Sequence, residues 1–327
     1  MKQKSEIPLI DLTALRTNKG LQQIGAKIKT ACLGSGFFMV SNHGIDEDLV
    51  AAVFCANRWF HDLPLVDKNA IKLNHWHRGY QGFATSTLVS SARFAPAATA
   101  NQLASFFIRQ EVLPEDPDYL TGALKGPNQW PDDPKFREVV SQYDSAVRAL
   151  GHRLLPAFAL AVGESAGFFQ TYFDNATTAL RLIYYPSVEY LHSDDALGIQ
   201  PHTDYGFITI LAQDAISGLE IRLPDGGWMP IPYVPGALII NIGDALARWT
   251  NDVFNSTPHR VISPRSGVGR YSVAMFFDPN MDTSIRCLRK FIDTNQPAQY
   301  PDIQYGKYIE ERLNKNYPDR TAGQVPS

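Results

Sequence analysis

Two kinds of periodicity divide the chain at about residue 175. In the first part, apolar residues recur every three or four positions, which is the spacing of one face of an α-helix. This pattern predicts helices near residues 20–33, after Asp46 as N-cap, and over 135–162. Because proline lacks an N–H, Pro156 is expected to bend or divide the last of these. Short apolar runs predict strands at 7–12, 37–40 and 104–111.

After residue 175 the apolar runs are short and regularly spaced, with Gly- and Pro-rich turns between them. Such a series is typical of a β-sandwich or barrel, and the earlier helices are expected to pack on its outside. A polar, irregular stretch at 72–103 predicts loops over a pocket, and 304–315 predicts a last helix. The strands of the second part are predicted at 178–185, 207–213, 218–222, 237–242 and 270–277.

Composition excludes several classes of protein. Of 327 residues, 44% are hydrophobic and 19% are charged, which is ordinary for a globular protein. The net charge of -3 gives no basic face for nucleic acid, and no apolar stretch approaches the ~20 residues of a membrane span. The start of the chain has no apolar signal region, and the three cysteines form no CxxC motif. We therefore expect a cytoplasmic protein without a nucleic-acid, membrane or obligate protein partner.

The sequence around His202 predicts a metal site. Side chains two positions apart on an extended strand point to the same face, so His202 and Asp204 are expected side by side. His259 lies 55 residues after Asp204 and must come from another strand folded back alongside. Two imidazoles and one carboxylate are the protein ligands of a non-haem iron(II) oxygenase, and they leave three positions on the metal open.

Eleven residues after His259, Arg270 and Ser272 show the same spacing of two. We expect their guanidinium and hydroxyl groups to point into the space that holds the metal. A guanidinium fork beside an iron with open positions suits a small dicarboxylate.

A chance pairing and a zinc site are the alternatives to iron at these residues. An isolated His-x-Asp also occurs at helix starts and in surface pairs, and zinc accepts the same ligands. A zinc hydrolase would need a general base such as that of an H-E-x-x-H helix, which the sequence lacks, and it would leave Arg270 without a role. His43 is expected to be a structural turn residue, His77 a loop residue, and Asp244 a helix cap.

Further motifs occur in a fixed order along the chain. The first half contains IPLIDL (7–12), GSGFFMVSNHGI (34–45), GYQGF (79–83) and GPNQWP (126–131). The second half contains QPHTDYGFITILAQD (200–214), GLEI (218–221), GALIINIGDALARWTND (236–252), STPHRVISP (256–264) and RYSVAMFFDPN (270–280). With these motifs, the chain resembles the isopenicillin N synthase-like iron(II)/2-oxoglutarate dioxygenases over most of its length.

The resemblance implies a fold and a set of cofactors. The fold is α+β, with a double-stranded β-helix (jelly-roll) core and flanking N-terminal helices. Iron(II) would be held by His202, Asp204 and His259, and O2 and 2-oxoglutarate would be cosubstrates, with ascorbate supporting turnover in vitro. The 2-oxoglutarate would be bound by Arg270, Ser272 and Tyr185. Plant members usually carry Asn where this chain has Ile183, so one cosubstrate contact is expected to be missing or replaced.

The regions of the family map onto the chain as four segments. Residues 1–125 form an N-terminal dioxygenase region, 126–175 a long helix packed on the core, 176–285 the catalytic core, and 286–327 a C-terminal segment. Candidates for the substrate side of the pocket, for each of which plain packing or surface exposure is an alternative, are Arg78, Tyr80, Phe106, Phe107, Phe207 and Phe277.

We therefore expect an oxygenase that hydroxylates, desaturates or cyclises a small molecule of secondary metabolism, with release of succinate and CO2. One alternative is an oxidase of the isopenicillin N synthase type, in which Arg270 and Ser272 bind the substrate and no 2-oxoglutarate is used. A second is a ligand-binding module without turnover, which would have no need of the three metal ligands.

Overall fold

A computed structural model describes residues 7–88, 97, 99–119, 122, 124–190, 197–265 and 267–317. The start of the chain (1–6), part of the predicted pocket loops (89–96) and the end of the C-terminal segment (318–327) lie outside these residues. Among the described helices, none is long and apolar enough to cross a membrane.

The helices of the described residues are α1 Asn18–Leu33, α2 Glu47–Asp62, α3 Leu65–Ala70, α4 Pro134–Ala161, α5 Asp244–Trp249 and α6 Tyr305–Asn316. The strands are β1 Leu9–Asp11, β2 Phe37–Ser41, β3 Gly79–Gln81, β4 Ala104–Arg109, β5 Thr177–Tyr185, β6 Leu197–His202, β7 Ile208–Gln213, β8 Leu219–Arg222, β9 Trp228–Pro230, β10 Leu238–Ile242, β11 His259–Ile262, β12 Arg270–Asp278, β13 Ser284–Ile285 and β14 Ile303–Gln304.

Two sheets form the core. The larger has eight strands in the order β1-β2-β10-β7-β12-β5-β4-β3, and the smaller has the order β6-β11-β8-β9. Apolar side chains of both sheets form one buried cluster, for example Ile183 and Ala274 of the large sheet with Ile221 and Val261 of the small one. The sheets therefore pack face to face, as the expected jelly roll requires.

The other face of the large sheet is covered by helices. The buried positions of α4 include Val140, Val147 and Leu154, spaced by seven, and they join the larger of the two apolar clusters. Pro156 does not divide α4, which continues to Ala161. Its last turn is held by tertiary packing, because Ala157 and Phe158 are fully buried.

Strand alternation decides which side chains reach the space between the sheets. On β12, Val273, Met275 and Phe277 join the cluster under the helices. Arg270, Ser272, Ala274 and Phe276 instead line a cavity between the sheets. The partner strand β5 follows the same rule: Arg181, Ile183 and Tyr185 line that cavity, and Leu180 and Leu182 pack under the helices.

The predicted strands at 178–185, 207–213, 218–222, 237–242 and 270–277 are present within one residue at each end. The strand β6 was missed, because Gly198, Gln200 and Pro201 interrupt its apolar pattern. The predicted loop region 72–103 contains the short strand β3, which pairs with β4.

Candidate metal centre and active site

The three predicted metal ligands lie together between the two sheets. His202 ends β6 and His259 begins β11, and these two residues are register partners in the antiparallel pair. The Nε2 atom of His202 lies 3.8 Å from Asp204 Oδ1, and that of His259 lies 3.6 Å from the same oxygen. One potential ligand atom from each residue falls within 4.8 Å of the others, which is the arrangement that a single metal ion needs.

Both histidines are oriented by backbone carbonyl groups. The Nδ1 of His202 lies 2.8 Å from the carbonyl oxygen of Gln200, and the Nδ1 of His259 lies 3.2 Å from that of Thr257. A carbonyl can only accept a hydrogen bond, so each Nδ1 carries the proton. Each Nε2 lone pair is therefore left for a metal.

The carboxylate of Asp204 is fixed through one of its two oxygens. Its Oδ2 accepts hydrogen bonds from the Thr209 hydroxyl on β7 and, at 2.7 Å, from the Asn241 amide on β10. Burial opposes ionisation, but the two imidazoles and these two donors hold the pKa of Asp204 below its usual range. Burial, and next the neighbouring His259, lower the pKa of His202 to about 3. The carboxylate and the neutral imidazole are the forms that bind a metal.

Arg270 and Ser272 lie on β12 with their polar groups buried. Arg270 donates from Nε to the carbonyl of Ile216 and from Nη2 to Gln213 Oε1, both at 3.1 Å. Its Nη1 and the Ser272 hydroxyl have no hydrogen-bond partner among the described residues. The guanidinium lies 5.0 Å from the ring centre of Tyr185, which is the register partner of Arg270 on β5.

These groups line one cavity of about 60 Å³ between the sheets. The two histidines, Asp204, Arg270, Ser272 and Tyr185 all belong to its lining. Buried donors without acceptors are costly unless a ligand supplies the acceptors. The donor set fits a small dicarboxylate that reaches from the metal to Arg270. Ile183, the register partner of Ser272, lines the same cavity with an apolar side chain, so it offers the dicarboxylate no polar contact.

A second cavity, of about 90 Å³, adjoins two residues of the triad. His202 and Asp204 belong to its wall, and strands β4, β5 and β12 contribute Phe107, Arg181 and Phe276. The helix α6 closes it with Ile309, Leu313 and Asn316. A cavity beside a set of potential metal ligands is a candidate substrate site.

Of the six predicted substrate residues, Phe107 alone lines this cavity. Phe106 is its neighbour on β4 and points to the opposite face, where its ring packs on Phe60 and Phe136. Tyr80 packs on Phe60 in the same core. For these two residues the prediction of a pocket contact is wrong, because alternate residues of a strand point to opposite faces and both side chains belong to the cluster under the helices.

The prediction is also wrong for Phe207, Phe277 and Arg78. Phe207 packs on Phe158, Phe169 and Phe173 under the helices, and Phe277 packs on Phe173. Arg78 is buried, and its guanidinium donates to four acceptors: the carbonyls of Trp76, Gln110 and Leu124 and the side chain of Asn128. It holds loops together away from the metal.

His43, Asp244 and His77 lie in three different surroundings. His43 is a buried turn residue whose Nδ1 accepts from the Ile45 amide at 3.2 Å. Asp244 begins α5 but does not cap it. Its carboxylate accepts from Ser256 at 2.7 Å and from Thr203 at 3.2 Å. His77 lies at the second cavity, against the rings of Phe107 and Tyr317.

Three polar residues of the site were not predicted: Thr209, Asn241 and Arg181. Each stands inside an apolar strand sequence, in FITIL, LIINI and ALRLI respectively. A polar side chain in such a run has to find a partner in the interior, and this signal could have identified all three.

Two segments of the chain match known protein families. Residues 7–133 match the N-terminal region of the non-haem dioxygenases of morphine synthesis, and residues 176–279 match the 2OG-Fe(II) oxygenase superfamily. Among characterised relatives, the 2-oxoglutarate-Fe(II) type oxidoreductase hxnY of Emericella nidulans is 32% identical over 95% of this chain and 90% of its own. The 2-oxoglutarate-dependent dioxygenase caaD of Aspergillus niger is 34% identical over 86% and 87%.

Solved structures show the same fold. A full-length Neurospora crassa protein in complex with alpha-KG and thymine superposes with a TM-score of 0.82, at 27% identity, over 96% of this chain and 98% of its own. JOX2 in complex with 2OG, Fe and JA gives 0.77 at 30% identity, over 98% and 90%. Sequence and structure agree over nearly the whole length, and the metal ligands form the set that such chemistry needs. The chain belongs to the 2OG-Fe(II) oxygenase superfamily and is an iron(II)- and 2-oxoglutarate-dependent oxidoreductase.

Proposed function

We propose that His202, Asp204 and His259 hold iron(II), and that Arg270, Ser272 and Tyr185 bind the distal carboxylate of 2-oxoglutarate. The substrate then occupies the second cavity. One observation carries this proposal: two buried donors without acceptors, Arg270 Nη1 and Ser272 Oγ, line the cavity that the three metal ligands also line. A keto acid with a second carboxylate can contact both groups at once.

When bound, iron(II) and 2-oxoglutarate supply the activation of O2, which is coupled to conversion of the keto acid to succinate and CO2. The protein supplies orientation. Asp204 is held by Thr209 and Asn241, and Arg270 is held by Gln213, so neither charged group has to reorganise when the ligands arrive. Tyr185 supports the guanidinium through its ring face.

The cavity walls also exclude water. The rings of Phe37 and His259 are steeply inclined to each other with their centres 5.4 Å apart, and apolar side chains of both sheets complete the lining: Ile199, Leu211, Leu219 and Val261. In such surroundings the attraction between Arg270 and a carboxylate is stronger than in water. A dry wall also protects reactive species from side reactions.

The substrate is a small organic molecule. Related solved structures hold thymine in the Neurospora crassa protein and JA in JOX2, and both superpose on more than nine-tenths of this chain. This supports a small-molecule substrate for the present cavity. Free thiols at Cys32, Cys55 and Cys287 support the proposed cytoplasmic location.

The oxidase alternative differs in one measurable product, because an oxidase that uses no 2-oxoglutarate releases no succinate. The test supplies the purified enzyme with Fe(II), ascorbate and 2-oxoglutarate and measures succinate while a panel of metabolites is screened. We expect succinate release that rises above the uncoupled background with a true substrate. Product formation that does not depend on 2-oxoglutarate would overturn the proposal in favour of the oxidase.

A further inference from the structure

Arg181 lies on β5 at the boundary of the two cavities. Its side chain lines the metal and cosubstrate cavity and also the second cavity, and the residue is 7% exposed. The family motifs do not require a cation here for the metal or for 2-oxoglutarate, since Arg270 already supplies one.

Neutral oxygen atoms fix the guanidinium of Arg181. Its Nε donates to Ser105 Oγ at 3.1 Å and its Nη2 to Gln81 Oε1 at 2.9 Å. Ser105 itself donates to Gln81 at 2.8 Å, and Gln81 donates to Ser86 at 2.7 Å. This chain of hydrogen bonds anchors one edge of the guanidinium on β3 and β4. Its Nη1 donates to none of the described residues.

No carboxylate among the described residues forms an ion pair with Arg181. Asp204 is engaged by Thr209 and Asn241 through Oδ2 and faces the histidines with Oδ1. Asp278 also lines the second cavity, where burial raises the pKa of its carboxyl group and Arg109 acts against that rise. A buried cation without a counterion is unstable relative to the same cation with an anion beside it. An anionic ligand in the second cavity would supply that partner.

The surroundings of Arg181 also restrict the shape of the ligand. The ring of Phe107 lies 4.8 Å from the guanidinium carbon, and Phe276 and Tyr317 contribute further flat walls. The cavity of about 90 Å³ is only moderately larger than the 60 Å³ cavity proposed for 2-oxoglutarate, a molecule of ten non-hydrogen atoms. A cavity of this size suits one ring with a small substituent.

We propose that Arg181 determines substrate specificity: it binds the anionic group of a small, single-ring organic acid, whose ring lies against Phe107. This inference rests on the proposed function, because it takes the second cavity as the substrate site. The charge on Arg181 selects acids over their neutral analogues, and the held edge of the guanidinium leaves Nη1 for the ligand.

The test measures binding rather than turnover. The enzyme is loaded with Mn(II) and 2-oxoglutarate without oxygen, and calorimetry measures Kd for matched probes: benzoate against benzamide, and cyclohexanecarboxylate against its amide. We expect each acid to bind at least about tenfold more tightly than its amide, as for a charge-assisted hydrogen bond. Arg181→Gln should remove this preference. The exposed Arg286, which pairs with Asp302, provides the control variant Arg286→Gln, which should keep it.

Several results would overturn the inference. They are equal binding of acid and amide by the wild-type enzyme, failure of both acids to bind, or a preference that survives in Arg181→Gln. The wild-type comparison remains decisive if that variant does not fold.

The affinity for 2-oxoglutarate is measured in the same samples. A tenfold loss of this affinity in Arg181→Gln, with the preference for acids intact, would make Arg181 a cosubstrate contact instead. Failure of the wild-type enzyme to bind 2-oxoglutarate would contradict the proposed function. This outcome is distinguished from failure of the inference, because 2-oxoglutarate binding is measured independently of the acid and amide affinities.

Discussion

Asp204 and Asp278 are both buried beside the same cavity, yet the pKa values of their carboxyl groups are shifted in opposite directions. At the end proposed to hold the metal, called the metal end, two imidazoles and two hydrogen-bond donors surround Asp204 and hold its pKa below the usual range, although burial acts against this. At the end proposed to hold the substrate, called the substrate end, burial raises the pKa of Asp278 to about 6, in spite of the amide of Phe207 at 2.7 Å and the nearby Arg109. The surroundings of Asp204 therefore stabilise its ionised form, whereas those of Asp278 disfavour ionisation.

The two ends also differ in how they are assembled. The proposed metal and cosubstrate residues, except Asp204, stand on strands of the jelly roll, where register fixes each side chain relative to its partner. The walls of the substrate end combine β4, β12 and α6, which are far apart in the chain. The residues of the metal end can therefore stay the same while the residues that line the substrate end change. The same reaction can in this way be carried out on different substrates.

The strongest test of the metal end is His259→Ala. One of three ligands is lost, so iron binding and 2-oxoglutarate turnover should both be abolished while the fold survives. Iron content by mass spectrometry, circular dichroism and succinate release measure the three properties. Arg286→Ala, on the surface, should keep all of them. Full oxygen consumption by the His259 variant would refute the assignment.

Phe106 and Phe107 provide a matched pair across one strand. Phe106→Ala removes a ring from the core under the helices and should lower the free energy of unfolding by about 3–5 kcal/mol. Its ratio of product to succinate should stay at the wild-type value. Phe107→Ala should lower that ratio, because the substrate is held less well while the cosubstrate site is intact. Urea unfolding and product analysis distinguish the two, and the reverse pattern would place the substrate elsewhere.

Arg270→Ala tests the cosubstrate. Loss of a buried charged contact typically costs about 2–5 kcal/mol, so the apparent KM for 2-oxoglutarate should rise by an order of magnitude or more. Steady-state succinate release measures this change, with Arg286→Ala as the exposed control. An unchanged KM would indicate that this arginine faces the substrate, as in an oxidase.

Asp278→Asn tests the substrate end through pH. The carboxyl has a higher pKa in the folded state, at about 6, than its ordinary value of 3.8, so the folded state binds more protons in this window. The stabilisation from this group is therefore present at low pH and is lost as pH rises to about 6, by about 2–3 kcal/mol. Urea unfolding of the metal-free protein at both limits should show the variant gaining stability relative to wild type as pH rises. A difference that does not change with pH would contradict this.

The smallest expected effect concerns Asn241, which donates to the metal-facing carboxylate of Asp204. Asn241→Ala should weaken iron binding by about 10–100-fold, as is usual when a group that orients a ligand is lost. Iron titration measures this effect. At saturating iron the KM for 2-oxoglutarate should stay unchanged, because Arg270 is not altered. Equal iron affinity in the variant would show that Thr209 alone suffices.

The residues of the metal end could be predicted from the sequence, but the period of a strand explains only part of their placement. Arg270 and Ser272 are spaced by two and share one face of β12. Asp204 lies two residues beyond the end of β6, and Thr209 and Asn241 hold its carboxylate there. The substrate end could not be predicted in this way. Which of Phe106 and Phe107 faces the cavity depends on the pairing of β4 with β5, and the closure by α6 depends on contacts across more than a hundred residues.

The nine-residue pairing of β12 with β5 has a consequence for how this protein can change over evolutionary time. Inserting one residue in the middle of β12 would leave the composition almost the same but would exchange the two faces of the strand beyond that point. Insertions of many residues in the exposed turn at Gly226 and Gly227, between β8 and β9, would leave both faces as they are. Length variation among descendants of this sequence should therefore collect in the turns and spare the strands, even where most of the individual residues have been replaced.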